Sequence, residues 1–355
     1  MYRAWFRFVL QPANRRQPPR DPLKYLIKVT ESTNNPVPRI PPFIYANENR
    51  CRHRPGLRYL IYIYSSPQNH KRRDELRRNY PNPAVFRDGR TQFVFLLGVS
   101  KDDALNAMID DEIRHHNDIV LADYVESYRN LTYKSVMALA WLTSYCTEAD
   151  YAIKADDDVF VNIFELIKIL EQHDANNRRR TITCHRFAKG ASPVYRHKSS
   201  RWYVEPKDFI GITLYPQYCF GLSFAVSRDV VADLYQAMLR TNFFWIDDVY
   251  TAGLLTQKVA NITYTNIFQR MGHNLQFALT QYRKASQSNV LIVVPAGDGK
   301  LLEAVWRAAV ARLNATERLA INPDILPVAG NVTIDRSVAR DVRKVKKNDT
   351  DNRSG

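Results

Sequence analysis

Short, unbroken apolar runs alternate along this chain with longer segments whose apolar residues recur every three or four positions. Tyr59-Leu60-Ile61-Tyr62-Ile63-Tyr64 and Phe93-Val94-Phe95-Leu96-Leu97-Gly98 are rich in aromatic and branched residues and predict buried strands; Ser65-Ser66-Pro67 ends the first. Asp118 to Leu121 and Tyr151 to Ala155 predict two more. Helices are predicted between them, over Lys71 to Tyr80, Asp102 to His116 and Leu131 to Cys146, with another starting near Ile163. Late in the chain, Val290 to Val294 reads as a strand and Leu301 to Leu313 as a helix carrying Trp306. This alternation predicts an α/β fold with a mostly parallel sheet flanked by helices, whose ligands bind beyond the carboxyl ends of the strands.

The polar segments set the expected boundaries. Residues 1–54, rich in Pro, Arg and Asn, read as a stem or disordered lead-in, with order beginning at Arg58. Residues 55–322 read as one domain, because no linker-like break separates Arg58 from Trp306, and residues 323–355 as a polar, disordered tail. A chain of 355 residues with 45% hydrophobic content can bury a large core.

Composition narrows the partners. The net charge of +15 raises the question of a polyanion. The basic residues are scattered, however, and the clusters Arg178-Arg179-Arg180 and Arg343 to Lys347 lack interleaved aromatics, which argues against nucleic acid. A basic surface also suits an enzyme of nucleotide diphosphates, or one working at an anionic membrane face. No stretch is long and apolar enough for a membrane helix; Trp5 to Leu10 is short and interrupted by Arg7. Cys51, Cys146, Cys184 and Cys219 match no zinc spacing, so they are buried thiols or one or two disulfides. Sequons at Asn130, Asn261, Asn314, Asn331, Asn348 and Asn352 point toward a secretory compartment.

Candidate chemistry concentrates at Lys154-Ala155-Asp156-Asp157-Asp158-Val159-Phe160-Val161-Asn162. Three adjacent carboxylates repel one another unless a positive charge is shared, and hard oxygen ligands suit Mn2+ or Mg2+. A solvated turn, or the acidic first turn of the helix at Ile163, is the competing reading. Asp247-Asp248 likewise either cap a helix or perform acid–base work.

The order Asp118-Ile119-Val120, Asp123-Tyr124, Ser127-Tyr128, Asn130-Leu131-Thr132, Lys134, then Trp141, Tyr145-Cys146 and the Lys154 to Asn162 run resembles the beta-1,3-galactosyltransferases and beta-1,3-N-acetylglucosaminyltransferases of glycosyltransferase family 31. The resemblance extends with gaps from about Cys51 to Trp306. It implies a GT-A type nucleotide-sugar-binding domain and an inverting, metal-dependent transfer of a hexose from a UDP-sugar to a sugar hydroxyl. UDP-galactose is the favoured donor, UDP-N-acetylglucosamine the runner-up, and an inactive chaperone or glycan-binding relative the rival.

Carried onto this sequence, the resemblance assigns Asp158 and Asp156 to the metal, Asp248 with Asp247 to catalysis, and Asp156, Asp157, Arg73, Arg77 and Lys134 to the donor. Arg73 and Arg77 share a helix face, and pairing with Asp74 or Glu75 at the surface is their alternative role. Trp202, Tyr218 and Gly221 fall in segments resembling the family's sugar-binding motifs, with plain core packing as the alternative for Trp202. Three positions depart from the pattern. Ser223 and Ala252 replace usual glycines, and Pro295-Ala296-Gly297 stands where relatives often carry a metal-binding His, leaving either Asp298 as a substitute or the metal to the Asp triplet and the diphosphate alone. The family also implies a type II protein of the Golgi lumen whose glycan acceptor sits on a glycoprotein or glycolipid. Its membrane anchor is not visible in this sequence, so the chain begins downstream of an anchor or resides elsewhere.

Overall fold

The structure is a computed structural model that describes residues 35–78, 89–284, 290–293 and 299–313. Strand β2 (Tyr59–Tyr64) lies buried along its whole length, as its unbroken apolar sequence requires. It pairs in parallel with β3 (Thr91–Val99) on one side and β5 (Tyr151–Asp156) on the other, and β3 pairs in parallel with β4 (Ile119–Val125). Helices α1 (His70–Arg77), α2 (Asp103–His116) and α3 (Leu131–Tyr145) make the crossovers. The full sheet has eight strands in the order β1-β4-β3-β2-β5-β8-β7-β9. Here β1 is Phe43–Tyr45, β7 is Thr181–Phe187, β8 is Tyr218–Ser227 and β9 is Thr263–Asn266. The antiparallel pairs involve β1 with β4 and β8 with both β5 and β7. The α/β reading holds.

The strand order has one reversal that matters for function. From β2 the chain steps to β3 and then β4, and α3 carries it back across to β5 on the other side of β2. Adjacent strands whose connections leave in opposite directions open a crevice at their carboxyl ends, and Asp156 closes β5 at that point. Beyond it, β6 (Phe160–Val161) joins a small second sheet with β10 (Met271–Gly272) and β11 (Ile292–Val293), and α4 (Ile163–Ala175) follows with Asn162 as its cap. Helices α5 (Arg228–Met238), α6 (Asp247–Val249, continuing as a π turn over Tyr250–Leu254), α7 (Leu275–Lys284) and α8 (Gly299–Val310) complete the fold.

Two glycines are required by close approach. A side chain at Gly98 would collide with the Tyr124 carbonyl oxygen, 2.5 Å from its Cβ position, where β3 and β4 shift register. Gly221 is discussed with the site.

The lead-in expectation for residues 1–54 is corrected over its second part. Phe43–Tyr45 adds an antiparallel strand to the edge of β4, the buried Trp141 indole donates to the Ala46 carbonyl, and the Asn47 amide donates to the carbonyls of Asn117 and Ile119 at 3.1 and 3.3 Å. Covering an open sheet edge is the physical reason for this order. Residues 1–34 and the proposed tail lie outside the described residues, as do Pro295 to Asp298. Two disulfides resolve the cysteine question. Cys51–Cys146 ties the amino-terminal segment to the end of α3, and Cys184–Cys219 joins β7 to β8. Among the described residues, no helix is long and apolar enough to cross a membrane.

Candidate active site

The middle carboxylate of the triplet is structural. Asp157, only 6% exposed, accepts the Ser65 hydroxyl at 2.7 Å, the Asn69 amide at 2.8 Å and Arg72 Nη1 at 3.1 Å, while its backbone N–H donates to the Tyr64 carbonyl. These bonds lock the loop after β5 onto the loop after β2. The flanking carboxylates keep more exposure, 26% for the Asp156 side chain and 27% for that of Asp158.

Strand alternation puts Lys154 and Asp156 on one face of β5. There the buried Lys154 ammonium hydrogen-bonds both the Asp156 carboxylate and the Gly221 carbonyl, 4.6 Å from the Tyr64 ring centroid. Burial pushes the Asp156 carboxyl up to about 7, with the charges of Asp158 and Asp247 adding to the rise and Lys154 opposing it. Asp158 is also raised, first by burial and then by Asp157, against Arg72 and Lys154.

The second acidic pair opens α6 on the same cleft. Tyr128, Leu131, Lys154, Asp156, Trp202, Phe220, Gly221, Leu222, Trp245, Ile246, Asp247 and Asp248 line one depression. Asp156 of the triplet and the Asp247–Asp248 pair, far apart in the sequence, therefore face a common space, while Asp157 and Asp158 are not in its lining. Ile246, not an acid, holds the capping position of α6, although Asp248 Oδ1 does accept the Val249 N–H at 2.9 Å. The Gly221 N–H also donates to Asp248, and a Cβ at Gly221 would sit 3.0 Å from that of Asp248, so glycine is what lets β8 reach this carboxylate. Burial and the neighbouring Asp247 raise Asp248 to about 7, and burial raises Asp247 too.

Trp202 lines the cleft and its indole N–H donates to the Tyr128 hydroxyl at 2.9 Å, so it is a wall residue rather than plain core. Four expectations are corrected. Arg73 is fully buried, with Nε and Nη2 on the two Glu112 oxygens at 2.7 and 2.5 Å and Nη1 on Ser65 and the Ser66 carbonyl. Arg77 forms a fork on Asp118 at 2.8 and 2.7 Å and also reaches Asp74 and Glu112. Their guanidiniums brace α1 against α2 and β4 and line no part of the cleft; the expected pairing with Asp74 is present for Arg77, whose other partners lie inward. Burial pushes the Glu112 carboxyl up and the two arginines more than offset it, leaving it below its usual value. Lys134 is likewise buried, bonded to Glu126 at 2.8 Å and to the Ser65 carbonyl; it acts on the cleft only through its charge, which favours ionised Asp247. Tyr218 is buried behind the cleft with its hydroxyl 2.8 Å from that of Ser192.

The arginine that does reach the triplet is Arg72, one residue from the pair singled out in the sequence. A helix phase is invisible until the sheet it packs on is known, so no local signal separates Arg72 from Arg73. Lys154 was within reach, because residues two apart on a strand share a face. Ser223, at a usual glycine, is buried and donates to the Lys154 carbonyl at 2.7 Å, outside the cleft.

The sequence profile of the galactosyltransferase family matches residues 71–267. The chain belongs to this family. Beta-1,3-galactosyltransferase 1 of Mus musculus is 31% identical over 248 residues, 68% of this chain and 72% of that protein. Lactosylceramide 1,3-N-acetyl-beta-D-glucosaminyltransferase of Xenopus tropicalis is 28% identical over 262 residues, 69% of this chain and 68% of its own length. Among solved structures, the galactosyltransferase LgtC with donor and acceptor sugar analogues aligns at 11% identity and a TM-score of 0.34, covering 74% of this chain and 99% of that one. A likeness that distant carries no argument about this cleft. In this family member, Asp156, Asp158, Asp247 and Asp248 crowd one end of the sheet, and Lys154 and Arg72 are cations hydrogen-bonded to the acidic loop. Among the described residues, no three side chains form a complete metal cage. Asp156 at the cleft, with the Asp158 charge close enough to act on it, offers carboxylate oxygens of the kind that fit a hard divalent ion taking the rest of its shell from water and a phosphate-bearing ligand.

Proposed function

We propose that this chain is an inverting glycosyltransferase moving a hexose, galactose foremost, from a UDP-sugar to a sugar hydroxyl with formation of a β-1,3 linkage. The observation that carries the reading is the shared cleft, with Asp156 on one wall, Asp248 on another and Trp202 at the rim. Asp158 and Asp156 would hold Mn2+ or Mg2+, which supplies Lewis-acid neutralisation of the departing diphosphate. Arg72, bonded to the triplet and partly exposed, adds positive charge at the same end.

Asp248 takes the proton of the attacking hydroxyl. The new bond forms at the anomeric carbon as the bond to the diphosphate breaks on the opposite side, so an α-linked donor gives a β-linked product. Gly221 and Val249 fix the Asp248 carboxylate through their N–H groups, and Asp247 beside it raises its basicity. Lys154 is a positioning residue: its ammonium holds Asp156 to the β8 backbone and keeps the crowded carboxylates from repelling one another apart. Trp202 and Trp245 offer flat faces to an apolar sugar surface. Two disulfides suit an oxidising, secretory setting such as the Golgi lumen.

A screen of UDP-sugars with Mn2+, reading UDP release with and without β-linked acceptors, tests the reading. Acceptor-stimulated release from UDP-galactose is the expected result. Preference for UDP-N-acetylglucosamine would move the donor assignment, and no release from any donor would overturn the enzyme reading in favour of a glycan binder.

A further inference from the structure

The wall of the cleft that holds Asp248 is bordered by positive charge that the transfer chemistry does not use. Tyr128, 37% exposed, and Trp245 meet edge to face with ring centroids 6.2 Å apart. Each ring supports a guanidinium: Arg201 Cζ lies 3.7 Å from the Tyr128 centroid and Arg129 Cζ lies 3.9 Å from that of Trp245. Both arginines are exposed, and Arg129 makes no ion pair among the described residues. A guanidinium held over a ring through its face can still present N–H groups to a second partner; for Arg129 that fork matches a carboxylate or a sulfate, and Arg201 adds its charge beside it.

The location separates this charge from the donor end. Arg72 and Lys154 serve the triplet loop, whereas Tyr128 feels the charges of Arg201, Asp248 and Asp247 together, so the stacked pair borders the wall that holds the base. A neutral sugar would need the aromatic faces alone. We propose that the acceptor is an anionic glycan, bearing a carboxylate or a sulfate ester close to the reacting sugar, and that Arg129 and Arg201 read this charge. The inference rests on the transferase reading of the cleft.

The test compares a neutral β-linked disaccharide with the same disaccharide carrying either a sulfate ester or a uronate, on the intact chain and on the variants R129Q, R201Q and R129K. Binding is read by saturation-transfer NMR and, with the preferred UDP-sugar, turnover is read as kcat/KM. The wild-type protein is expected to favour one anionic form over the neutral one, with the two anionic arms showing which group is read. Each Gln variant should cut that preference by up to about fivefold, the range of a partly exposed charge pair. R129K, which keeps the charge and loses the fork, should retain part of it. The preference should also shrink with added salt. Equal binding of neutral and anionic forms, or a preference that survives both Gln substitutions, overturns the proposal. Because binding is measured independently, a protein that binds the anionic glycan without any turnover contradicts the transferase reading while supporting the charge reading; turnover without charge preference does the reverse.

Discussion

Replacing Asp248 by Asn removes the proposed base with almost no change in shape. Asn keeps an oxygen able to accept the Val249 N–H, now 2.9 Å from Oδ1, and the Gly221 N–H. General-base catalysis is worth about 100-fold to 10,000-fold, roughly 3 to 5 kcal/mol on the barrier, so kcat should fall by that amount with donor KM little changed. The pH dependence sharpens the test. Burial first, and Asp247 second, push Asp248 up to about 7, and only the ionised form accepts the proton. Wild-type activity should therefore rise from about one-tenth of its plateau at pH ~6 to about nine-tenths at pH ~8, a limb that belongs to the Asp247–Asp248 pair as a unit. The sign for stability is opposite to that of a salt-bridged acid. With its folded value near 7, above the unfolded 3.8, Asp248's contribution is fully present below 3.8 and is lost as pH rises toward about 7. D248N should flatten that decline in the metal-free protein. Acceptor-stimulated UDP release across the pH range, beside thermal melts, reads both effects. A variant within threefold of wild type that keeps the acid limb would refute the assignment.

Asp158→Ala should abolish transfer and weaken Mn2+ binding measured by calorimetry while leaving the melting temperature near wild type, because its side chain is partly exposed and its ion pair with Arg72 is long, at 4.0 Å. Arg73→Ala should behave in the opposite way, costing about 1.5 to 3 kcal/mol of stability by removing the charge-assisted bonds to both Glu112 oxygens and leaving that carboxylate to Arg77 alone, with urea melts as the readout. An R73A protein of unchanged stability but raised donor KM would restore the donor role. Lys154→Met should lower the melting temperature more at pH ~8 than at pH ~6, since Asp156, raised to about 7, ionises between them and loses its cation. Replacing Cys51 and Cys146 together by Ser should cost about 2 to 5 kcal/mol, seen as a lower urea midpoint with activity retained below it.

The parallel strands were legible because a strand covered on both faces has to be apolar at every position, and β2 and β3 are. The acidic clusters were legible for a related reason: adjacent carboxylates are costly, and a chain carries them where something is to be bound. What stayed hidden depends on distant partners. Nothing near Phe43 signals that β4 needs an edge cover, and nothing near Cys51 points to Cys146, 95 residues away. The arginines of α1 show the limit most clearly. Arg72, Arg73 and Arg77 are chemically alike, and which of them meets Asp157 and which meets Glu112 or Asp118 is decided by how α1 sits against the ends of β2 and β5.

The most direct test of the account is the anomeric configuration of a product made in the presence and absence of metal. With a UDP-hexose, Mn2+ and a sugar acceptor, proton NMR of the product should show a single new β linkage, and chelation with EDTA should stop its formation. An α-linked product, or undiminished transfer in EDTA, would contradict a cation held at Asp156 and Asp158 working opposite a base at Asp248.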